Sequence, residues 1–328
     1  MNVQAFTNVP LHHRNYFGVK GNNKCNRWLV GAQNGDITIF NEQGVIEARS
    51  LKHGISGIDY CPQKELIAWH AEGKMVVQTV GGHTIFERRG GYETVYFSGG
   101  TDFLWTIETE NPDMALVSVL KVDTGATVAS LEIVDEYDAS AFSLHPGANN
   151  NHLVLYMAAG QDGQSTFFLS LENDTLTLSN LEEKDTHYAV FNPSKTSYIL
   201  GGDDKLNVYG YPACNLTSTI GCNNDFGIVD DYGFVMDDLV AMAGEKSPCL
   251  LNIKTHQIQE LVIPGHEPKP ISFYYPALNS YDELTTDIEG LDVFGNFLIF
   301  HCRNHQHISS DRNAVLIIES KTLFTGKP

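Results

Sequence analysis

Three imidazoles, a thiol and a carboxylate fall within eleven residues at His301-Cys-Arg-Asn-His-Gln-His307 and Asp311. Neutral imidazole and thiolate are good ligands for zinc or copper. On an extended strand His305 and His307 share a side, because residues i and i+2 do. His301 joins them if the strand runs unbroken. His301, His305 and His307 are therefore the candidate metal ligands, and His12-His13 lie close by if the two chain ends meet. No established ligand spacing is matched, and a solvated polar turn accounts for the same residues. No cofactor is expected.

Other catalytic constellations are scarce. The chain has no Gly-x-Ser-x-Gly elbow, no P-loop and no His-Glu-x-x-His. What it has in abundance is acid: 40 Asp and Glu against 21 Lys and Arg, a net charge of −19. Such a field repels nucleic acid phosphates and attracts a basic partner or a cation. The acid gathers in turn-like segments, which carry Glu108, Glu110 and Asp113, then Asp135 and Glu136 beside Tyr137, then Asp203 and Asp204. Phe226 is an aromatic in such a segment. A further candidate is the stretch Pro276 to Asn296, about twice the length of other connections, where Tyr281, Asp282 and Glu283 stand among apolar anchors. Long loops in compact domains tend to carry function. These twelve residues are the candidate partner-binding set. The competing explanation is local, since Asp and Asn favour turns for their own hydrogen-bonding reasons.

The elements that must position these residues are short strands. Asp36-Ile-Thr-Ile-Phe40, Met75-Val-Val-Gln-Thr-Val80, Leu116-Val-Ser-Val-Leu120 and Phe167-Phe-Leu-Ser-Leu171 have the period-2 or continuous apolar pattern of strands, ended by Gly, Asn, Asp or Pro. No stretch of twelve residues keeps helical spacing. Strands that open each unit begin at Gly57, Tyr92, Ser140, Tyr188, Ile228 and Ile271, which are 35, 48, 48, 40 and 43 residues apart. A mean near 43 is the spacing of four-stranded propeller blades.

Two turns make the pattern more specific. Leu29-Val-Gly-Ala-Gln-Asn-Gly-Asp-Ile-Thr-Ile-Phe-Asn41 and Ile199-Leu-Gly-Gly-Asp-Asp-Lys-Leu-Asn-Val-Tyr209 resemble the second-to-third-strand turn of WD40 repeats, with a weaker copy at Leu66 to Val77. Asp203 stands at the family's turn Asp, while Asn34 and Glu72 replace it elsewhere. Phe40 and Tyr209 stand where the family has Trp, and no Trp-Asp dipeptide occurs. Leu116 to Leu131 is similar to YVTN-type propeller repeats.

The expectation is an all-β chain: a single domain over residues 1–328 that forms a seven-bladed β-propeller of four-stranded antiparallel blades. The last unit runs out of strands after Ala314 to Glu319. The N-terminal stretch is long enough to complete it, so N- and C-terminal strands should share one blade and close the ring. Within such a fold Asp59, Glu93 and Asp230, on innermost strands, are the carboxylates that could serve chemistry in a channel, and each is expected to be solvated. The WD40 resemblance implies a non-catalytic scaffold that binds a protein partner through its loop faces, and the acidic charge points to a basic one. The alternatives are a metal-dependent propeller hydrolase or lactonase, or a small-ligand binder at the central channel. Neither a signal-like N-terminus nor a run of 18 apolar residues occurs, and the six cysteines form no framework. A cytoplasmic monomer or subunit of a hetero-complex, without nucleic-acid or membrane contact, is the matching expectation.

Overall fold

The strands of this chain cannot bury themselves singly, and the order in which they pair follows from that. A computed structural model describes residues 3, 5–11, 17–99, 101–111, 114–134, 139, 141–158, 164–181, 188–202, 205–221, 229–244, 248–264, 266–268, 286–303 and 313–323. After β1 (Thr7–Leu11), the first blade holds β2 (Trp28–Gly31), β3 (Asp36–Asn41) and β4 (Gly44–Ser50). Residues 17–20 take its innermost place, with Lys20 and Leu29 each donating its backbone amide to the other's carbonyl at 2.8 and 2.9 Å. The second blade is β5 (Gly57–Cys61), β6 (Leu66–Ala71), β7 (Lys74–Thr79) and β8 (Thr84–Arg89). The third is β9 (Tyr92–Phe97), β10 (Phe103–Asn111), β11 (Met114–Lys121) and β12 (Thr127–Val134). The fourth is β13 (Ala141–Pro146), β14 (His152–Ala158), β15 (Gln164–Glu172) and β16 (Thr175–Leu181). The fifth is β17 (Ala189–Phe191), β18 (Ser197–Gly201), β19 (Lys205–Gly210) and β20 (Asn215–Gly221). The sixth is β21 (Val229–Met236), β22 (Leu239–Gly244), β23 (Cys249–Asn252) and β24 (Gln257–Glu260). The seventh sheet runs β1, β28 (Asn313–Glu319), β27 (Phe297–Arg303), β26 (Thr286–Phe294) and β25 (His266–Pro268). One helical turn, α1 (Ser320–Leu323), follows. The fold is a seven-bladed β-propeller.

Burial falls from the middle of each blade to its last strand. Every residue of β2 is buried, as are five of six in β6, whereas all four of β24 are exposed and β8 has no buried residue. Middle strands have a sheet face on each side and therefore read as continuous apolar runs. Last strands face solvent and carry the charge and the Thr and Ser. Two compact units contain these sheets, one of Met1–Arg14, Phe40–Ile46 and Asn192–Pro328, the other of Asn15–Ile39 and Glu47–Phe191. In the second unit Trp105, Val117, Leu155 and Leu169 form one core where blades 3 and 4 face each other. In the first, Leu250, Leu298, Phe300 and Leu316 do the same. First strands also pack on first strands, β5 on β9 and β9 on β13 in one unit and β21 on β26 in the other.

Five of the six expected opening strands begin within one residue of their predicted starts. The sixth, at Ile271, lies outside the described residues. The seventh sheet instead begins with β25, which pairs parallel with β26, and the residues of β26 read from sequence as the second half of a long loop. Ile288 and Leu291 are buried there, and β26 pairs along its length with β27. Its sequence alternates acid with apolar residues, which suits a strand with one buried face as well as it suits a loop.

The chain ends meet as expected. β1 pairs antiparallel with β28, Val9 opposite Val315, and Val9 and Leu11 have no exposed surface. Thr7 Oγ1 donates to the Glu42 carbonyl at 2.7 Å, and the Val3 amide to that of Val262 at 2.9 Å. Fully burying an aliphatic side chain stabilises by about 1.5–3 kcal/mol. Val3, Val9 and Leu11 are all buried, so removing residues 1–11 should cost roughly 5 kcal/mol and leave the β28 edge open to other chains. Thermal melting and size-exclusion chromatography of the truncated chain should show a large loss of stability and new oligomers; an unchanged melt would show the strand to be dispensable.

Candidate functional site

Among the described residues, an inner strand holds the carboxylate whose acidity departs clearly from the ordinary. Asp59 is the third residue of β5 and is only 4% exposed. It accepts a hydrogen bond from the Phe97 amide of β9 at 2.6 Å, which ties blade 2 to blade 3. Burial pushes its pKa up to about 6; the nearby Lys20 ammonium and the amides of Phe97 and Tyr60 offset part of that rise. Tyr96, also on β9, is driven up by burial and then by the Asp59 charge. The expectation of a solvated Asp59 is corrected: a strand with a sheet on either side leaves its polar residue no water.

The same arrangement recurs in the sixth blade. Asp231 on β21 accepts a hydrogen bond from the Leu291 amide of β26 at 3.1 Å, tying blade 6 to blade 7. Its neighbour Tyr232 reaches the other way, its hydroxyl accepting from the Gly201 amide of blade 5 at 2.8 Å. A Cβ on Gly201 would lie 2.5 Å from the Tyr232 ring, so only glycine lets the two strands approach. Asp59-Tyr60 and Asp231-Tyr232 are the same dipeptide in equivalent strands. Sequence reasoning chose Asp230, one residue early, although the shared dipeptide marked Asp231. The side chain of Asp230 is outside what is described.

A second group gathers where β9 begins. Glu93 is exposed, as expected, and accepts a hydrogen bond from Thr109 Oγ1 at 2.8 Å. Glu108 is not a surface residue: it is 8% exposed and lies beside Tyr92, whose hydroxyl is pushed up to about 12 by burial and then by the Glu108 charge. His70, from β6, is buried behind this group. Burial lowers its pKa, with Glu93 acting against the change. Glu110 lies in β10, its side chain beyond what is described. The other candidate partner residues, Asp113, Asp135, Glu136, Tyr137, Asp203, Asp204, Phe226, Tyr281, Asp282 and Glu283, lie outside the described residues.

Of the histidine cluster, His301 is described and His305 and His307 are not. His301 sits on β27 with its Nε2 2.7 Å from Asp292 Oδ2 on β26. This carboxylate fixes the ring against the neighbouring strand. Among the described residues no group of three or more His, Cys, Asp or Glu is placed to hold a metal ion. The turns follow local chemistry: Asn34, Asn149 and Asn252 each accept the amide two residues on, at 2.8 to 3.0 Å.

No protein-family model matches the chain, and no curated protein matches it. Among the described residues no helix is long and apolar enough to cross a membrane.

The raised pKa of Asp59 has a definite sign. A carboxyl that ionises less readily folded than unfolded adds stability below its ordinary pKa near 3.8, and that stability is lost as pH rises through about 6. At pH 7.5 the ionised form costs up to about 3 kcal/mol. Asp59→Asn keeps an acceptor for the Phe97 amide and removes the charge. The variant should melt higher than the parent at pH 7.5 and equally at pH 4; melts across that range that never diverge would show that Asp59 is not desolvated.

Proposed function

We propose that this chain is a WD40-like propeller acting as a non-catalytic scaffold, which binds a basic protein partner through its loop faces. One observation carries the reading: two inner-strand carboxylates, Asp59 and Asp231, are occupied in joining blades. Asp59 and Asp231 accept backbone amides of the next blade at 2.6 and 3.1 Å. Such residues hold the frame rigid, and a rigid frame loses little entropy when its loops engage a partner. The turn segments are then the surfaces free to vary, as in other scaffolds whose loops carry recognition. A net charge of −19 favours a cationic partner and speeds its approach. The turn sequences at Leu29–Asn41 and Ile199–Tyr209 support the WD40-like assignment. The same reading takes the protein as cytoplasmic and as a monomer or subunit of a hetero-complex.

The test is affinity capture from native lysate at low and high salt, read by mass spectrometry, with an Asp203→Lys, Asp204→Lys variant alongside. A stoichiometric protein should be captured at low salt and released at high salt. The variant should capture less of it while melting within a few degrees of the parent. Absence of any stoichiometric partner in both conditions would sink the scaffold reading.

A further inference from the structure

Each blade ends in a strand whose outer side its own sheet leaves unpaired, and such edges invite other chains to pair there. Most of these edges carry a known form of protection. β1 has Pro10, which has no amide to offer. β4 has Glu47 and Arg49. β8 has Glu87, Arg88 and Arg89 and a register shift against β7. β12 has Glu132 and a shift against β11, and β20 has a shift against β19. β24 is only four residues long and ends in Glu260. β16, Thr175-Leu-Thr-Leu-Ser-Asn-Leu181, has none of these devices. It carries no charge and no proline, and its seven residues pair with β15 in one unbroken register.

Among the described residues the β16 backbone bonds to β15 alone, and the Thr177 hydroxyl also turns inward, donating to the Ser170 carbonyl at 3.4 Å. The side chains agree. Leu153 of β14 stands opposite Leu169 of β15, which stands opposite Leu178. Leu153 and Leu169 are buried, whereas Leu178, at the end of the row, is 37% exposed. One more strand would continue the row and cover it. Acid brackets the strand. Glu172 and Asp174 stand exposed at its start, and neither makes an ion pair among the described residues. Glu182 and Glu183 follow Leu181 in the sequence.

We propose that β16 is a strand-addition site for an extended segment of another protein, uncharged and β-branched at its centre and flanked by Lys or Arg. The proposal rests on the scaffold reading and names the surface and the partner's chemistry. Main-chain bonds along the edge hold such a segment, and the side chain opposite Leu178 adds apolar contact. The ends choose the partner. In a second copy of this chain, antiparallel pairing brings the Asp174 end of one strand to the Leu181 end of the other, where Glu182 follows. Parallel pairing sets Asp174 beside itself. Like charges opposite each other destabilise a strand pair, so self-pairing is disfavoured. Basic flanks meet acid at both ends in either direction.

The test titrates the purified full chain into fluorescein-labelled Lys-Lys-Thr-Val-Thr-Val-Thr-Lys-Lys, read by fluorescence anisotropy, with hydrogen exchange of the 175–181 amides alongside. Saturable binding and slower exchange of those amides are expected. A strand pairs through one set of alternate amides, so of two peptides N-methylated at opposite sets one should bind at least tenfold weaker. A peptide with Glu in place of Lys should also bind at least tenfold weaker. Leu178→Lys puts a charge on the edge and should weaken binding at least tenfold. Glu172→Gln with Asp174→Asn removes the acid at its start and should weaken binding several-fold; Asn tolerates the φ of 59° at position 174. All three positions are exposed, so both variants should melt with the parent. Absence of binding, equal binding of both N-methylated peptides, or binding unchanged by Leu178→Lys overturns the proposal. So does a dimer of the free chain, seen by size-exclusion chromatography and lost in Leu178→Lys, which would make a second copy the occupant. Lysate capture of a partner that Leu178→Lys leaves undiminished would remove β16 and keep the scaffold reading.

Discussion

A four-stranded sheet with two apolar faces is stable only when something covers both. In this chain the cover is another sheet, and the polar groups near the inner strands must find partners across the seam. Asp59 meets the Phe97 amide and Asp231 meets the Leu291 amide for this reason. A buried acceptor without a donor costs about 1–3 kcal/mol, more when charged. The two aspartates each tie their own blade to the next, and Tyr232 adds a bond back to blade 5, whereas the buried Tyr60 hydroxyl has no partner among the described residues. Gly201 completes the arrangement by leaving space for the Tyr232 ring.

Much of this was legible in the sequence because the blade is a local unit. Spacing placed the openings of blades 2 to 6 from Gly57 to Ile228, each within one residue of the observed start, since each blade repeats a strand, a turn and a return. What failed was non-local. The strand β26 looks like a loop when read alone, because Asp287, Glu289 and Asp292 interrupt its apolar residues. Only pairing with β27 distinguishes it from a loop. His301 stood out as a ligand type, yet its partner Asp292 lies on a different strand, and no spacing rule joins them. Glu108 read as part of an acidic turn, but β10 continues through it and buries it beside Tyr92.

Turn formation and charge are separate properties of the polar residues of this chain. Some of the polar turn residues are structural: Asn34, Asn149 and Asn252 close their turns by accepting a nearby amide, and Asp36 receives the Asn34 side-chain amide at 2.7 Å. Glu93 is an exposed carboxylate that also accepts from Thr109 Oγ1. The surplus of carboxylates over ammonium groups sets the long-range field. The Asn-closed turns would persist in a neutral relative of the same fold.

The pairing of β1 with β28 has a consequence for how the molecule is made. Thr7–Leu11 leave the ribosome roughly 300 residues before Asn313–Glu319, the strand that receives them. Throughout synthesis Val9 and Leu11 have no native partner, and β1 is an open edge. The other six blades acquire all their strands in turn, while the seventh waits for β28. Contacts of such long sequence separation close slowly. Until β28 arrives, that open edge is available for wrong pairing.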